Sequence, residues 1–362
     1  MAEQKPEISI VMAVHNGEEF LRGTLDSVLC QTMPNFECIV INDFSTDGTN
    51  EILDEYAAKD SRIKVYPNEE NIKLAKSLNR GIELAQGKYI ARLDADDICM
   101  RDRLEAQLAF MEANPEVAVS SCKFFRLEEG LLMPSLCGRK TDYETTAAMM
   151  LFFCPVLHPG VIARAEALKQ FSYNPEHTCS EDYDMWTRMV VSGYRVACQK
   201  EYLMAYRIHG GQITGTTKVK QHDEAKKILT GYYSDVAFDL SEKETDFLVN
   251  KLYFEEQVSI DEFACFYRKL CKACAKKGIV NAKCILPAVL EPLAMQKLRY
   301  PMSKLKQLKL LKFGGLRFIK EFMNRKKLTK EDFASAVKVA NREGWEILSD
   351  GTEKYPEFRA DL

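Results

Sequence analysis

The chain has 362 residues, with 50 Lys and Arg against 53 Asp and Glu, for a formal net charge of −3. That balance excludes a wholly basic nucleic-acid binder and an acidic disordered tail protein, and 46% hydrophobic with 28% charged residues suits a globular chain that buries a sizeable core. No apolar run reaches the ~18 residues of a spanning helix, and the polar stretch Met1 to Glu7 lacks the apolar core of a secretory signal, so a cytoplasmic location is expected.

Ile8 to Val14 is a β-branched apolar run too short for a helix, followed by Asn16-Gly17 and helical spacing from Glu18 to Leu29. Phe36 to Asn42 repeats the strand signature, Asp43 to Gly48 forms a turn cluster, and Thr49 to Lys59 returns to helical spacing. Ile63 to Tyr66 reads as a short strand, Ile72 to Ala85 as a helix closed by Gly87, and Lys88 to Leu93 as a strand ending at Asp94-Ala95-Asp96-Asp97. A helix from Arg103 to about Asn114 and a strand from Val117 to Cys122 follow, then a loop over Leu131 to Lys140 marked by Pro134 and Gly138. Strands alternating with helices predict an α/β fold, a mostly parallel sheet wrapped by helices. Beyond Thr217 strands nearly vanish, which predicts a mainly helical region over 218–362 behind a first domain of 1–217.

The twelve cysteines are scattered through a chain with no export signal, as expected of reduced thiols. Cys271 and Cys274 have zinc-like spacing, but they fall in a helical pattern as small core residues, with no second ligand pair beside them.

In doubly wound sheets ligands bind at the carboxyl ends of the strands, and His15-Asn16, Asp43 and Asp94 to Asp97 all fall there. Asp94 and Asp96 point the same way, and carboxylates so concentrated suit a hard divalent ion, Mg²⁺ or Mn²⁺, completed by substrate phosphate oxygens. Spacing alone also allows, and favours, an acidic turn with Asp97 as N-cap of the helix that follows. Asp43 is placed to accept hydrogen bonds from a nucleobase or ribose. There is neither a Gly-x-Gly-x-x-Gly after the first strand nor a P-loop anywhere, which disfavours both glycine-cradled phosphate sites. Further on, Ser180-Glu181-Asp182-Tyr183-Asp184-Met185-Trp186 places carboxylates ahead of a helical pattern. The macrodipole alone would favour acids there.

The opening Ser-Ile-Val-Met-Ala-Val-His-Asn-Gly, Asn42-Asp43-Phe44-Ser45-Thr46-Asp47-Gly48-Thr49, the Asn71 to Gly81 helix and Gly87 to Asp97 follow one another in an order and spacing that resembles the family 2 glycosyltransferases. The resemblance covers roughly residues 7–217, with a nucleotide-sugar half over 7–122 and an acceptor half over 123–217. It implies the GT-A fold, a Rossmann-like α/β sheet, and an inverting transfer of a hexose or N-acetylhexosamine from a UDP-sugar. The implied acceptor is a saccharide or lipid-linked molecule of surface-polysaccharide synthesis.

Residue by residue, the resemblance puts Asp43 on the uracil or ribose, Asp94 on the ribose and Asp96 on the metal. Ala13, His15, Asn16 and Ala95 then line the nucleotide, with His15 standing where the family often has Tyr. Lys76 and Asn79 on the helix before the acidic strand are further candidates for the nucleotide. Asp182 becomes the base, with Glu181 and Trp186 beside it. His158 in Leu157-His158-Pro159-Gly160 lies on the acceptor side, His209 meets the metal or pyrophosphate, Arg207 offsets leaving-group charge, and Arg103 buttresses the acidic loop.

Past residue 217 only the residues themselves can be read. Positions 297–327 hold eleven Lys or Arg against the single acid Glu321, a local charge of +10 that leaves −13 for the rest. Leucines and phenylalanines alternate with these cations, as in a segment lying on an anionic membrane surface, which suggests a peripheral place on the inner face of the plasma membrane; a packed helix with solvated lysines fits equally. The expected partners are a nucleotide-sugar donor, the acceptor and that membrane surface; a homo-oligomer is compatible with the composition and no nucleic acid is expected. The competing readings are a nucleotidyltransferase and a non-catalytic sugar-nucleotide-binding scaffold.

Overall fold

Apolar runs without alternation belong to strands buried on both faces, and that is how the first strands sit in the computed structural model. It describes residues 5–135, 141–212, 218–253 and 260–285, with 288, 338, 346–348 and 357–359. The first elements are β1 (Ile8–Val14), α1 (Leu21–Leu29), β2 (Phe36–Asn42), α2 (Thr49–Lys59), β3 (Ile63–Pro67), α3 (Leu74–Leu84) and β4 (Tyr89–Arg92). Strands β4, β1, β2 and β3 lie side by side and parallel. Ile10, Met12, Val40 and Ala91 pack with α1 and α2 on one face, while Val11, Ile41 and Ile90 pack with α3 on the other. Gly87 enters β4 where no side chain fits: an added Cβ would lie 2.6 Å from the Ser9 backbone nitrogen.

The chain continues through β5 (Ile98–Cys99), α4 (Arg103–Ala113), β6 (Val117–Glu128), β7 (Leu131–Pro134), α5 (Tyr143–Met149), β8 (Ile162–Arg164), α6 (Ala165–Leu168), α7 (Glu181–Val191) and β9 (Arg195–Arg207). Here the sheet changes character. β8 joins β4 and β6 antiparallel, β7 pairs antiparallel with β6, and β9 runs parallel to β6 while β5 pairs against it. The α/β class and GT-A fold hold, with a parallel first half and a mixed second half.

One strand expectation is corrected. Leu131 to Pro134, read as loop, is β7: Glu129 (φ 51) and Gly130 (φ 79) make a two-residue turn with both φ positive, which matches the twist of a hairpin. Pro134 is compatible because it ends the strand, and 136–140 lie outside the described residues. Beyond Thr217 the described elements are mainly helical, with two short strands. β10 (Glu346–Leu348) and β11 (Glu357–Arg359) form an antiparallel pair, and β11 adds to the edge of β7 at Leu131 and Leu132.

Behind β9 come α8 (Lys218–Val236), α9 (Glu242–Asp246) continuing into a π-turn over Phe247–Tyr253, and α10 (Ile260–Lys277). Tyr232, Tyr233, Phe247, Phe263 and Leu270 share one core cluster with α5 and α7. The Tyr232 hydroxyl donates to the Ala147 carbonyl (3.0 Å), and the Glu224 carboxylate accepts the N–H groups of Thr178 (3.0 Å) and Cys179 (3.1 Å) just ahead of α7. The helical region thus fixes the approach to Asp182. Cys274 is buried in this core on α10, as expected of a structural thiol. The basic segment 297–327 lies outside the described residues. Among the described residues no helix is long and apolar enough to cross a membrane.

Candidate active site

Loops after β1 and β2 are laced together. Asn16 (φ 55) accepts the Thr46 N–H (2.8 Å) and donates its own N–H to Ser45 Oγ (3.0 Å), while His15 Nδ1–H donates to the Asp43 carbonyl (2.9 Å). Ala13 lies half-buried near the end of β1. Asp43 itself is buried: one oxygen accepts from Asn68 Nδ2 (2.7 Å) and Ile72 N–H (2.9 Å), the other from Lys73 N–H (2.9 Å). The carboxylate therefore clamps the β3–α3 loop and keeps acceptor capacity for one further donor.

The acidic strand end is not a helix cap. Helix α4 begins only at Arg103, behind β5, so Asp97 cannot cap it. The carboxylates of Asp94, Asp96 and Asp97 instead converge, each offering an oxygen within 4.8 Å of the others. Burial, then the neighbouring charges, pushes Asp97 well above the usual carboxylate range, and burial also raises Asp94 against the pull of Arg92. Asp97 Oδ1 accepts the Arg207 N–H (2.8 Å), but its buried Oδ2 has no partner among the described residues. Crowded carboxylates with an orphaned buried oxygen fit a hard divalent cation. The other assigned residues frame them. His209 Nε2–H donates to Asp96 Oδ2 (2.9 Å), with Nδ1 accepting the Gly211 N–H (3.3 Å), and Arg207 Nε donates to the Asp96 carbonyl (2.8 Å). Ala95 offers its carbonyl to Thr24 (2.9 Å).

Arg103 is fully buried and donates to the Arg92 (2.6 Å) and Val161 (3.3 Å) carbonyls. The Asn79 amide pairs both ways with the Tyr173 backbone (2.9 and 2.8 Å), so it ties α3 to that loop while keeping one N–H and one oxygen lone pair. Lys76 is exposed on the same helix.

Across the crevice, Glu181 and Asp182 open α7, followed by the fully buried Trp186. Asp182 Oδ1 accepts the Tyr183 N–H (2.8 Å), and the Cys154 thiol lies 3.9 Å from Oδ2. His158 is buried and hydrogen-bonded to the Tyr173 hydroxyl (2.8 Å), with Trp186 edge-on to both rings. Burial pushes His158 far below its ordinary value, so it is neutral. Burial, then Asp182, raises Glu181 to about 7, and burial raises Asp182 too. Glu181 is thus protonated when folded and ionised when unfolded between pH 4.5 and 7, and stability falls as pH rises through that window. At roughly 1.4 kcal/mol per unit, this amounts to about 3 kcal/mol. Urea melts at pH 5 and 8 check it: Glu181→Gln should gain on the wild type as pH rises, and a constant difference would refute it.

Two residues escaped the sequence reading. Phe20 carries the Arg207 guanidinium 4.6 Å from its ring centre and the His209 ring at 4.8 Å, a contact invisible before β9 folds back. Arg92 ion-pairs with Asp94. Its signal was a lone cation within the apolar strand Tyr89-Ile90-Ala91-Arg92-Leu93, two positions before Asp94.

This architecture and this chemistry have relatives. A family model described as Glycosyl transferase family 2 matches residues 9–169. The putative teichuronic acid biosynthesis glycosyltransferase TuaG of Bacillus subtilis is 43% identical over 219 residues, 59% of this chain and 84% of TuaG. An Escherichia coli glycosyltransferase, WfaP, is 28% identical over 207 residues, 57% of this chain and 79% of its own. The solved structure of S. aureus TarS 1-349 in complex with UDP-GlcNAc superposes with a TM-score of 0.55 at 20% identity, over 98% of this chain and 99% of that one, a likeness of fold. The family match runs through the strands that carry Asp43, Asp94 and Asp96, and with TuaG 43% identical and spanned over 84% of its length, this chain belongs to glycosyl transferase family 2 and is a glycosyltransferase.

Proposed function

We propose that the enzyme moves a hexose or N-acetylhexosamine from a UDP-sugar to a saccharide or lipid-linked acceptor, with inversion, in surface-polysaccharide synthesis. The observation that carries this reading is the nearness of two unlike carboxylate sets: the crowded Asp94, Asp96 and Asp97 at the end of β4, and Glu181 with Asp182 at the start of α7, both of which feel the charge of Asp94. WfaP, by its name a UDP-Glc:alpha-D-GlcNAc-diphosphoundecaprenol beta-1,3-glucosyltransferase, supports the donor and acceptor classes, and TuaG, named for teichuronic acid biosynthesis, supports the polysaccharide setting.

Asp94 and Asp96, with Asp97 behind them and His209 beside, would hold Mg²⁺ or Mn²⁺. Such an ion supplies Lewis-acid neutralisation of the charge that gathers on a departing diphosphate. The chain's own residues do the rest. Asp43 and the laced loops of His15 and Asn16 seat the nucleoside. Asp182 takes the proton of the acceptor hydroxyl as that oxygen bonds to the anomeric carbon, and the bond to the diphosphate breaks with its electron pair leaving on UDP. The Arg207 cation, held over Phe20, faces that growing negative charge.

A thermal-shift screen of UDP-, GDP- and dTDP-sugars with and without Mn²⁺ tests the donor class. A UDP-sugar should stabilise the protein strongly and only with the metal. Stabilisation by a GDP- or dTDP-sugar alone, or equal stabilisation without metal, would overturn the donor or the metal.

A further inference from the structure

Arg92 lies on β4 between Ala91 and Leu93, which belong to the α1/α2 face, while its neighbour Ile90 and its register partner Val11 belong to the face covered by α3, α5 and α7. Its side chain therefore projects toward α7, and it is only 6% exposed. Its carbonyl is pinned by Arg103, its guanidinium pairs with Asp94, and its Nε has no hydrogen-bond partner among the described residues.

A guanidinium stays charged wherever it is buried, so this one must be answered by anions around it. It contacts Asp94, and its positive charge bears also on Asp97 from the strand end and on Glu181 and Asp182 from α7. The remaining titratable neighbours carry no charge: His158 is neutral, and burial keeps the Tyr173 hydroxyl and the Cys154 thiol protonated. Glu181 Oε2, like Arg92 Nε, is buried without a hydrogen-bond partner among the described residues, so the α7 pair has little local neutralisation apart from the N-terminus of its own helix.

We propose that Arg92 is a positioning residue, the shared counter-ion of the crevice, which pairs with Asp94 on the donor side and by its charge holds Asp182 ionised on the acceptor side. The role given to Asp182 rests on the reading above; the counter-ion itself does not. Several acids share one fixed cation, so the surplus negative charge is relieved by a proton on Glu181, and Asp182 stays free to accept the proton of an acceptor hydroxyl.

The test uses the full chain in EDTA, without sugar, and reads thermal midpoints at pH 5 and pH 8 for wild type, Arg92→Gln and Arg92→Lys, each alone and with Glu181→Gln. Glu181, raised to about 7, keeps its proton at pH 5, so the lost cation costs little there on its account; at pH 8 it is ionised and unanswered. The Arg92→Gln deficit should therefore be about 3–5 °C larger at pH 8 than at pH 5. Arg92→Lys should recover most of that difference, and Glu181→Gln should shrink it. A variant that folds at pH 5 but not at pH 8 is the same result at its limit.

An equal deficit at both pH values, or failure to fold at both, would reduce Arg92 to a packing role and overturn the proposal. So would a pH-dependent deficit untouched by Glu181→Gln, which would place the whole effect on Asp94. No transfer step enters this measurement, so a failed base assignment for Asp182 would leave its outcome intact and separately readable.

Discussion

Asp182→Asn is expected to lower turnover by about 10²–10⁴-fold, the range typical of a lost general base, while leaving UDP-sugar affinity nearly unchanged. The amide keeps the volume of the carboxylate and an oxygen for the Tyr183 N–H, so the first turn of α7 stays in place. What it loses is basicity. An acceptor hydroxyl attacking the anomeric carbon must shed its proton in the same event, and Asp182 is raised by burial toward a value at which a carboxylate takes protons more readily. Steady-state kinetics together with calorimetric titration of the donor separate the two effects. Turnover within a few-fold of wild type would remove Asp182 from the chemistry, and a loss confined to KM would make it a binding group.

Asp96→Ala should show effects of opposite sign in two conditions. Without metal, removing one of three crowded carboxylates relieves repulsion on Asp94 and Asp97, both of which Asp96 helps to raise, so the variant should be no less stable than wild type at pH 8. With Mn²⁺ and a UDP-sugar, wild type should gain roughly 2–4 kcal/mol at ligand concentrations of about 100–1,000 times Kd, and the variant should gain little. His209 loses its partner in this variant, so His209→Ala serves as the control for that hydrogen bond. Unaltered metal-dependent stabilisation in Asp96→Ala would show that the ion, if bound, is held elsewhere.

Much of the donor half was legible because its physics is local. Strands buried on both faces read as continuous apolar runs, and β1 and β2 begin and end where such runs do; α2 likewise matches its spacing. The carboxylates at those strand ends were legible for the same reason, since strand direction fixes which end the polar residues occupy. β7 was not, because a Glu-Gly turn and a terminal proline carry a weak hairpin signal until β6 supplies the partner. β10 and β11 were not, because three-residue strands gain their stability from an edge far away in sequence.

The same division runs through the site. By itself the sequence determined which acids the enzyme owns and the class of fold that presents them, since residue type, strand ends and helix starts are written in short windows. Only the tertiary structure decided what each acid faces. It showed that Asp43 clamps a loop, that Asn79 bonds the Tyr173 backbone, that Asp97 cannot be a helix cap, and that Arg92 pairs with Asp94 while its charge reaches Glu181 and Asp182, nearly ninety residues further on. Charge and hydrogen-bond partnership depend on distance through space and on burial, and for residues so far apart along the chain both are defined only once the sheet and helices have closed around them.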